Sequence, residues 1–127
     1  MDSVVHFEIP VDDMKRAKEF YTEVFDWQLD DMPGTEYVMA YTAPVDENRM
    51  PTKPGAINGG LTPRTTKETK FMNYIGVDSI DEYLRMIEKH RGEVVLAKTP
   101  MGEWGSYAQF KDPEGNVIGL WENAQAS

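Results

Sequence analysis

The sequence predicts an α+β fold of two βαβββ modules in tandem, residues 4–63 and 70–123, within one domain over residues 1–127. Three observations lead there. The run Ile75-Gly76-Val77-Asp78-Ser79-Ile80 repeats the pattern of Ile9-Pro10-Val11-Asp12-Asp13-Met14 at a constant offset of 66 residues, the signature of a duplication. In each copy a strand-like alternation passes into a helical period. In each copy three short strand-like runs follow the helix.

In the first copy Val4 to Asp12 reads as a strand, with Val5, Phe7 and Ile9 on one face and His6 and Glu8 on the other. Pro10 is expected to end or edge its ladder, because proline cannot donate a backbone hydrogen bond. Asp12 and Asp13 are candidate caps for a helix over Met14 to Phe25. Its apolar face would be Met14, Ala17, Phe20, Tyr21, Val24 and Phe25, with Lys15, Arg16, Lys18 and Glu19 mostly on the other side. Strand-like runs follow at Trp27–Leu29, Tyr37–Thr42 and Ala56–Thr62.

In the second copy Asp78 or Ser79 would cap a helix whose apolar face is Ile80, Tyr83, Leu84 and Ile87, with Gly92 as the residue that closes it. Strands are expected at Glu93–Ala97, Ser106–Lys111 and Val117–Glu122, the last two joined by the hairpin turn Asp112-Pro113-Glu114-Gly115-Asn116. Ala43 to Gly55 and Pro63 to Lys70 read as loops, solvated connections for preference, although the first has the length of a flap.

Composition narrows the function. The 127 residues carry a formal net charge of −9, which opposes binding to nucleic acid or to anionic membrane surfaces. There is no cysteine, so disulfides, thiolate-bound zinc, iron–sulfur clusters and a thiol nucleophile are excluded. The N-terminal MDSVVHFEIP has no basic segment followed by an apolar one, so no signal peptide is expected and the location is expected to be cytoplasmic. No GxSxG elbow, phosphate-binding GxxxxGK[ST] loop or HExxH helix occurs.

The run VVHFEIPVDDMKRAKEFYTEVFDW resembles the start, and FKDPEGNVIGLWE the end, of the glyoxalase / bleomycin resistance protein / extradiol dioxygenase superfamily, the vicinal oxygen chelate fold. PGAINGGLTPR resembles the middle of some of its small members, so the likeness covers about Val4 to Glu122. It implies that the strands of both modules curve into a mixed sheet around a cavity with the helices outside. Metal-dependent members place four ligands in that cavity, two from the first strands and two from later ones. Carried over by position, the first falls on His6, the second on Met72, the third near Asn58 to Gly60 and the fourth on Gly119. Only His6 is an ordinary metal ligand, so no metal and no other cofactor is expected, with a divalent metal as the weaker alternative. Glu122 lies on the opposite strand parity to Gly119 and Trp121 and so points away from the cavity.

Strand alternation then gives the expected ligand-binding residues: Met72, Tyr74, Tyr107, Gln109, Gly119 and Trp121, with Ala108, Phe110, Ile118 and Leu120 turned toward the helices. Either Tyr37, Met39 and Tyr41 or their neighbours join from the first module. His6 and Glu8 are the expected catalytic pair, a carboxylate whose pKa tends upward on a half-buried apolar face and an imidazole beside it. A structural hydrogen bond from Glu8 to Tyr74 or to the backbone is the competing role. His90, beside Lys89 and Arg91 near a helix end, reads as a surface residue.

The resemblance leads to a protein that binds a small molecule in a metal-free cavity. One alternative is a metal-dependent lyase or isomerase resembling lactoylglutathione lyase, acting on a small carbonyl or thioester compound. Another is an interaction module with a vestigial pocket. Superfamily members often dimerise, and Trp27 and Trp104 are candidates for a homodimer interface.

Overall fold

The structure, a computed structural model, describes residues 1–124; the expected domain limit at residue 127 lies outside the described residues. The elements run β1 (Val4–Val11), α1 (Met14–Phe25), β2 (Gln28–Asp31), β3 (Val38–Tyr41), β4 (Gly59–Pro63), β5 (Met72–Gly76), α2 (Ile80–Lys89), β6 (Glu93–Pro100), a 3-10 turn (Gly102–Trp104), β7 (Gly105–Lys111) and β8 (Val117–Asn123). This is βαβββ written twice. The contacts divide into a unit of His6–Phe71 and a unit of Met1–Val5 with Met72 onward, so the first five residues group with the second module rather than the first.

In the unit His6–Phe71, β1 pairs in parallel with β4, and β3 pairs antiparallel with both β4 and β2. Pro10 does not end β1: it sits in register with Thr62, and Val11 continues to Pro63. Both strands carry proline in these last two steps, where a missing donor costs the ladder least. Val11, Val38 and Leu61 form the buried core, and Ile9, Met14, Ala17, Tyr21 and Leu29 pack against it. Phe7, Ile9 and Val11 thus share the sheet face beneath α1, as strand period two requires.

α1 departs from expectation in what it buries. No residue of this helix is fully buried, and Phe20, Val24 and Phe25, expected on its packed face, are exposed. Only Met14, Ala17 and Tyr21 reach the core. Asp13, not Asp12, is the N-cap, accepting from the Arg16 N–H at 3.0 Å. Asp12 instead pairs with the Arg64 guanidinium at 3.0 Å.

In the second unit β5 pairs in parallel with β8, and β7 pairs antiparallel with β8 and β6. Val77, Ile80, Leu84, Ala108, Phe110 and Leu120 form its core, with Tyr83, Ile87, Val94 and Ile118 around them. β7 and β8 therefore turn Ala108, Phe110, Ile118 and Leu120 toward α2, as alternation predicts. Each fully buried aliphatic side chain, Ile80 and Leu120 among them, contributes roughly 1.5–3 kcal/mol. β6 runs three residues longer than the expected Glu93–Ala97, with register shifts between Val94 and Leu96 and between Leu96 and Thr99; a bulge breaks alternation and hides such a strand from a period-two reading. The other expected strand limits agree or differ by at most three residues, the largest difference being the start of β4 at Gly59 rather than Ala56.

Ser79 caps α2, accepting from the Glu82 N–H. The closing geometry corrects one expectation. The left-handed residue after α2 is Arg91, with φ 75°, not Gly92. Gly92 follows it and donates to the Ile87 carbonyl at 2.8 Å, completing a Schellman turn. A Cβ on Gly92 would overlap the Ile87 side chain. The glycine is there for space rather than for its φ.

Candidate functional site

The strands of each unit place the expected residues on the face opposite that unit's helix. In the first unit β1 alternates, so His6 and Glu8 lie opposite Phe7 and Ile9. The parity of the third strand, open from sequence, is settled by burial. Val38 is 2% exposed and Ala40 fully buried on the helix side, so Met39 and Tyr41 share the face of His6 and Glu8. Register sets Glu8, Gly60 and Met39 side by side across three strands. Tyr37 enters from just before β3. Its phenol occupies the space over Gly60 that a Cβ would need. Its hydroxyl shares a 2.6 Å hydrogen bond with His6 Nε2, and the two rings are stacked at 6.3 Å, 17° apart.

Burial pushes the His6 imidazole down to about 4, so it is neutral at physiological pH. A neutral ring donates at one nitrogen and accepts at the other. It orients a polar partner well and is a weak base.

In the second unit all six expected residues fall on one face. Tyr74 is in register with Gly119, and Gly119 with Gln109. One step along, Gly76 is in register with Trp121 and Trp121 with Tyr107. Met72 has the parity of Tyr74 on β5. The Tyr74 ring lies across Gly119, in the space a side chain there would fill. Gln109 Nε2 donates to the Tyr74 hydroxyl at 3.5 Å, and Tyr107 meets the Tyr74 ring edge-on at 6.5 Å. Tyr74 is 4% exposed, while Met72, Tyr107, Gln109 and Trp121 are half-buried.

The two modules thus repeat one device. The first strand pairs in parallel with the last, and the last carries glycine beside the residue two places after the module's first face residue. That glycine is Gly60 beside Glu8 and Gly119 beside Tyr74, and in each module a tyrosine ring covers it. Gly60 was legible only as one residue of a three-residue window. Its tyrosine, Tyr37, was legible as one of two parity choices for the third strand, but its contact with His6, 31 residues away, had no local signal.

The donor set does not suit a metal ion. Among the described residues no three His, Asp or Glu side chains gather as a metal site requires. His6 Nε2 is already engaged with Tyr37. Glu122 faces α2 with Leu120: one carboxylate oxygen accepts from the Ile80 N–H at 2.8 Å and the other pairs with Lys98 at 3.0 Å. These contacts, the Ile80 N–H above all, hold its carboxyl below the usual range. His90 is exposed and hydrogen-bonds the Met86 carbonyl at 2.8 Å. No helix among the described residues is long and apolar enough to cross a membrane.

Comparison with known proteins shows where this arrangement belongs. The family model described as Glyoxalase/Bleomycin resistance protein/Dioxygenase superfamily matches residues 3–120. A protein of Vibrio parahaemolyticus named "Probable lactoylglutathione lyase" is 30% identical over 98% of this chain and 93% of its own. A Mycobacterium tuberculosis protein named "Putative glyoxylase CFP32" is 30% identical over 91% of this chain, which spans only 43% of that relative's length. Among solved structures, methylmalonyl-CoA epimerase from Mycobacterium tuberculosis superimposes with a TM-score of 0.69 at 15% identity, over 96% of this chain and 88% of that one. A superfamily member from Vibrio splendidus gives 0.64 at 15% identity, over 97% and 100%. At such identities the structural likeness shows the fold.

Proposed function

The chain belongs to the glyoxalase / bleomycin resistance protein / dioxygenase superfamily, and from that membership we propose that it binds a small planar molecule without a resident metal. The observation that carries this is the second unit's helix-free face. Tyr74 is fixed across Gly119, with Tyr107 edge-on to it and the Gln109 amide bonded to its hydroxyl. Aromatic walls with a few placed polar groups suit a conjugated ligand that carries a carbonyl or amide. The ring surfaces supply contact area, and the Gln109 amide and the phenols supply the hydrogen bonds that fix orientation. A cytoplasmic setting belongs to the same reading.

Native mass spectrometry of protein purified without chelators tests it. The expected species is metal-free and carries a small molecule in stoichiometric amount, which Tyr107→Ala and Gln109→Ala each release. Repeated preparations with the bare chain mass, and no thermal shift with a set of planar carbonyl compounds, would overturn it.

A second reading, a lyase or isomerase acting on a small carbonyl or thioester compound, draws on the name of the Vibrio parahaemolyticus relative. In it Glu8 takes the proton and neutral His6 hydrogen-bonds the substrate, since both lie on one face of β1. A stoichiometric metal mass lost on acidification, or turnover abolished by Glu8→Gln, favours this reading over the first.

A further inference from the structure

We infer that Asn58 is a self-modification site: its amide clasps the loop of residues 43–57 shut, and once that loop opens the amide cyclises onto Gly59 and is lost. The first observation is the clasp. Asn58 is buried, with 8% exposure. Its Oδ1 accepts from the Thr42 N–H at 2.7 Å and the Ala43 N–H at 3.2 Å, and its Nδ2 donates to the Ala43 carbonyl at 3.4 Å. Beside it the Thr42 hydroxyl donates to the Ile57 carbonyl at 2.9 Å. These bonds tie the residues just after β3 to those just before β4. Between them the chain bonds to itself: Val45 bridges to Pro51, the Asp46 carboxylate accepts from Asn48 and Met50, and Thr52 donates to the Pro44 carbonyl. Residues 46–50 and 52–55 are exposed. A self-contained loop of this kind opens locally, without loss of the sheet.

The second observation is the pair Asn58-Gly59, the one place in the chain where glycine follows asparagine. Glycine has no side chain to hinder attack by its own backbone nitrogen on the side-chain amide before it. In that step the Gly59 nitrogen gives its proton to a solvent base and bonds to Asn58 Cγ. The Cγ–Nδ2 bond breaks, and ammonia leaves with a proton supplied by water. The cyclic imide then takes up water at either carbonyl and opens to aspartate or isoaspartate. Ring closure requires the Asn58 torsions to turn. The closed fold prevents this, because the clasp holds both polar atoms of the side chain and Gly59 is paired with Phe7 on one side and Ala40 on the other.

The third observation is that the fold needs both members of this labile pair. A Cβ on Gly59 would overlap the Phe7 carbonyl and ring, so there is no room for another residue. At position 58 one short side chain must accept from backbone N–H groups and also donate to a carbonyl, which asparagine does and ionised aspartate does not. Conversion therefore destroys the clasp. The oxygen that replaces Nδ2 faces the Ala43 carbonyl, acceptor against acceptor, in a buried place. Isoaspartate also adds a backbone atom ahead of Gly59 and Gly60, whose register sets them beside Phe7 and Glu8 in β1 and Ala40 and Met39 in β3. A loop opening that ends in conversion is thus recorded permanently next to the site face of the first unit.

Peptide mapping by mass spectrometry of the full chain, held at mildly alkaline pH, tests the inference, since conversion adds about 1 Da at Asn58. Conversion is expected to be at least about a hundredfold slower in the folded protein than in guanidinium chloride, because only the opened loop reacts. Thr42→Val removes the hydroxyl from the Ile57 carbonyl and should speed conversion of the folded protein about fivefold or more. Glu122→Ala, which loosens the second unit instead, should leave the rate near that of the wild type. Converted protein, and Asn58→Asp as its stand-in, should be cut faster by trypsin after Arg49, inside the loop. Equal rates in the folded and unfolded chain, or a Thr42→Val rate equal to that of the wild type, would overturn the inference. So would a Glu122→Ala rate raised as far as that of Thr42→Val, or converted protein no more readily cut.

Discussion

The Tyr37 hydroxyl and His6 Nε2 are 2.6 Å apart, on a sheet face where burial pushes the imidazole down to about 4. An unfolded histidine titrates near 6.5, so between these values the unfolded chain takes up a proton that the folded chain refuses. Stability is therefore complete above about pH 6.5, falls as the pH drops toward 4, and loses about 3 kcal/mol from this residue by the lower limit. Urea unfolding of wild type and His6→Gln over that range checks it. Carboxylates such as Glu122, held low in the fold, add acid-side loss of their own in both proteins, so the difference curve isolates His6. Parallel curves would remove the assignment.

Tyr37→Phe keeps the ring over Gly60 and removes only the hydroxyl. A half-buried imidazole then loses a short hydrogen bond, which should cost about 1 kcal/mol at neutral pH. The acid-side slope should persist, because burial rather than the hydroxyl depresses the imidazole. If the slope vanished with the hydroxyl, the cause would be the bond.

Glu122 joins β8 to the first turn of α2, accepting the Ile80 N–H at 2.8 Å and pairing with Lys98 at 3.0 Å. Glu122→Ala leaves a buried N–H without its acceptor and should cost about 2 kcal/mol, by the loss of both a helix-end acceptor and a charge-assisted bond. Lys98→Met should cost less than Glu122→Ala, since Lys98 is partly exposed and solvent screens its charge. Thermal or urea unfolding orders the two. A larger effect from Lys98 would mean that the ion pair, not the helix end, is what matters.

Strand parity was the most legible feature of this sequence. It placed Ala108, Phe110, Ile118 and Leu120 toward α2 and left Tyr107, Gln109, Gly119 and Trp121 opposite, because β7 and β8 pair without a bulge. It also turned Glu122 away from Trp121, although nothing in the sequence named Ile80 as its partner. Parity fails where alternation is broken or the pattern is short. β6 has two register shifts, and β3 is four residues of mixed character. Helical period found α1 but overstated its burial. Period reports which residues share a face, and only the partner surface decides whether that face is covered. Tyr37 was one of two open parity choices, and its bond to His6 was out of reach because a contact between residues 31 apart has no local signature.

Gly119 and Tyr74 give a test of the shared device. A Cβ at Gly119 would occupy the place of the Tyr74 ring, and Tyr74 is 4% exposed with Gln109 on its hydroxyl. Gly119→Ala should therefore destabilise by about 1–3 kcal/mol through overpacking. In a Tyr74→Ala background the same change should cost almost nothing, since the ring it collides with is gone. The coupling between the two, read from urea unfolding of the four proteins, should be at least about 1 kcal/mol. Additive effects would show that the ring is not held there by the glycine.

The ends of the two helices supply the last prediction. Asp26 after α1 and Arg91 after α2 hold left-handed backbone, with φ 58° and 75°. A side chain makes that conformation costly by roughly 1–2 kcal/mol relative to glycine, although glycine also loses more entropy on folding. Gly92, not its neighbour Arg91, carries the 2.8 Å bond to the Ile87 carbonyl that closes the turn. Arg91→Gly should thus stabilise by about 0.5–1 kcal/mol. Gly92→Ala should do the opposite, because its Cβ meets Ile87. Melting both variants separates space from backbone freedom. If Arg91→Gly destabilised while Gly92→Ala were neutral, the two residues would have exchanged the roles this turn gives them.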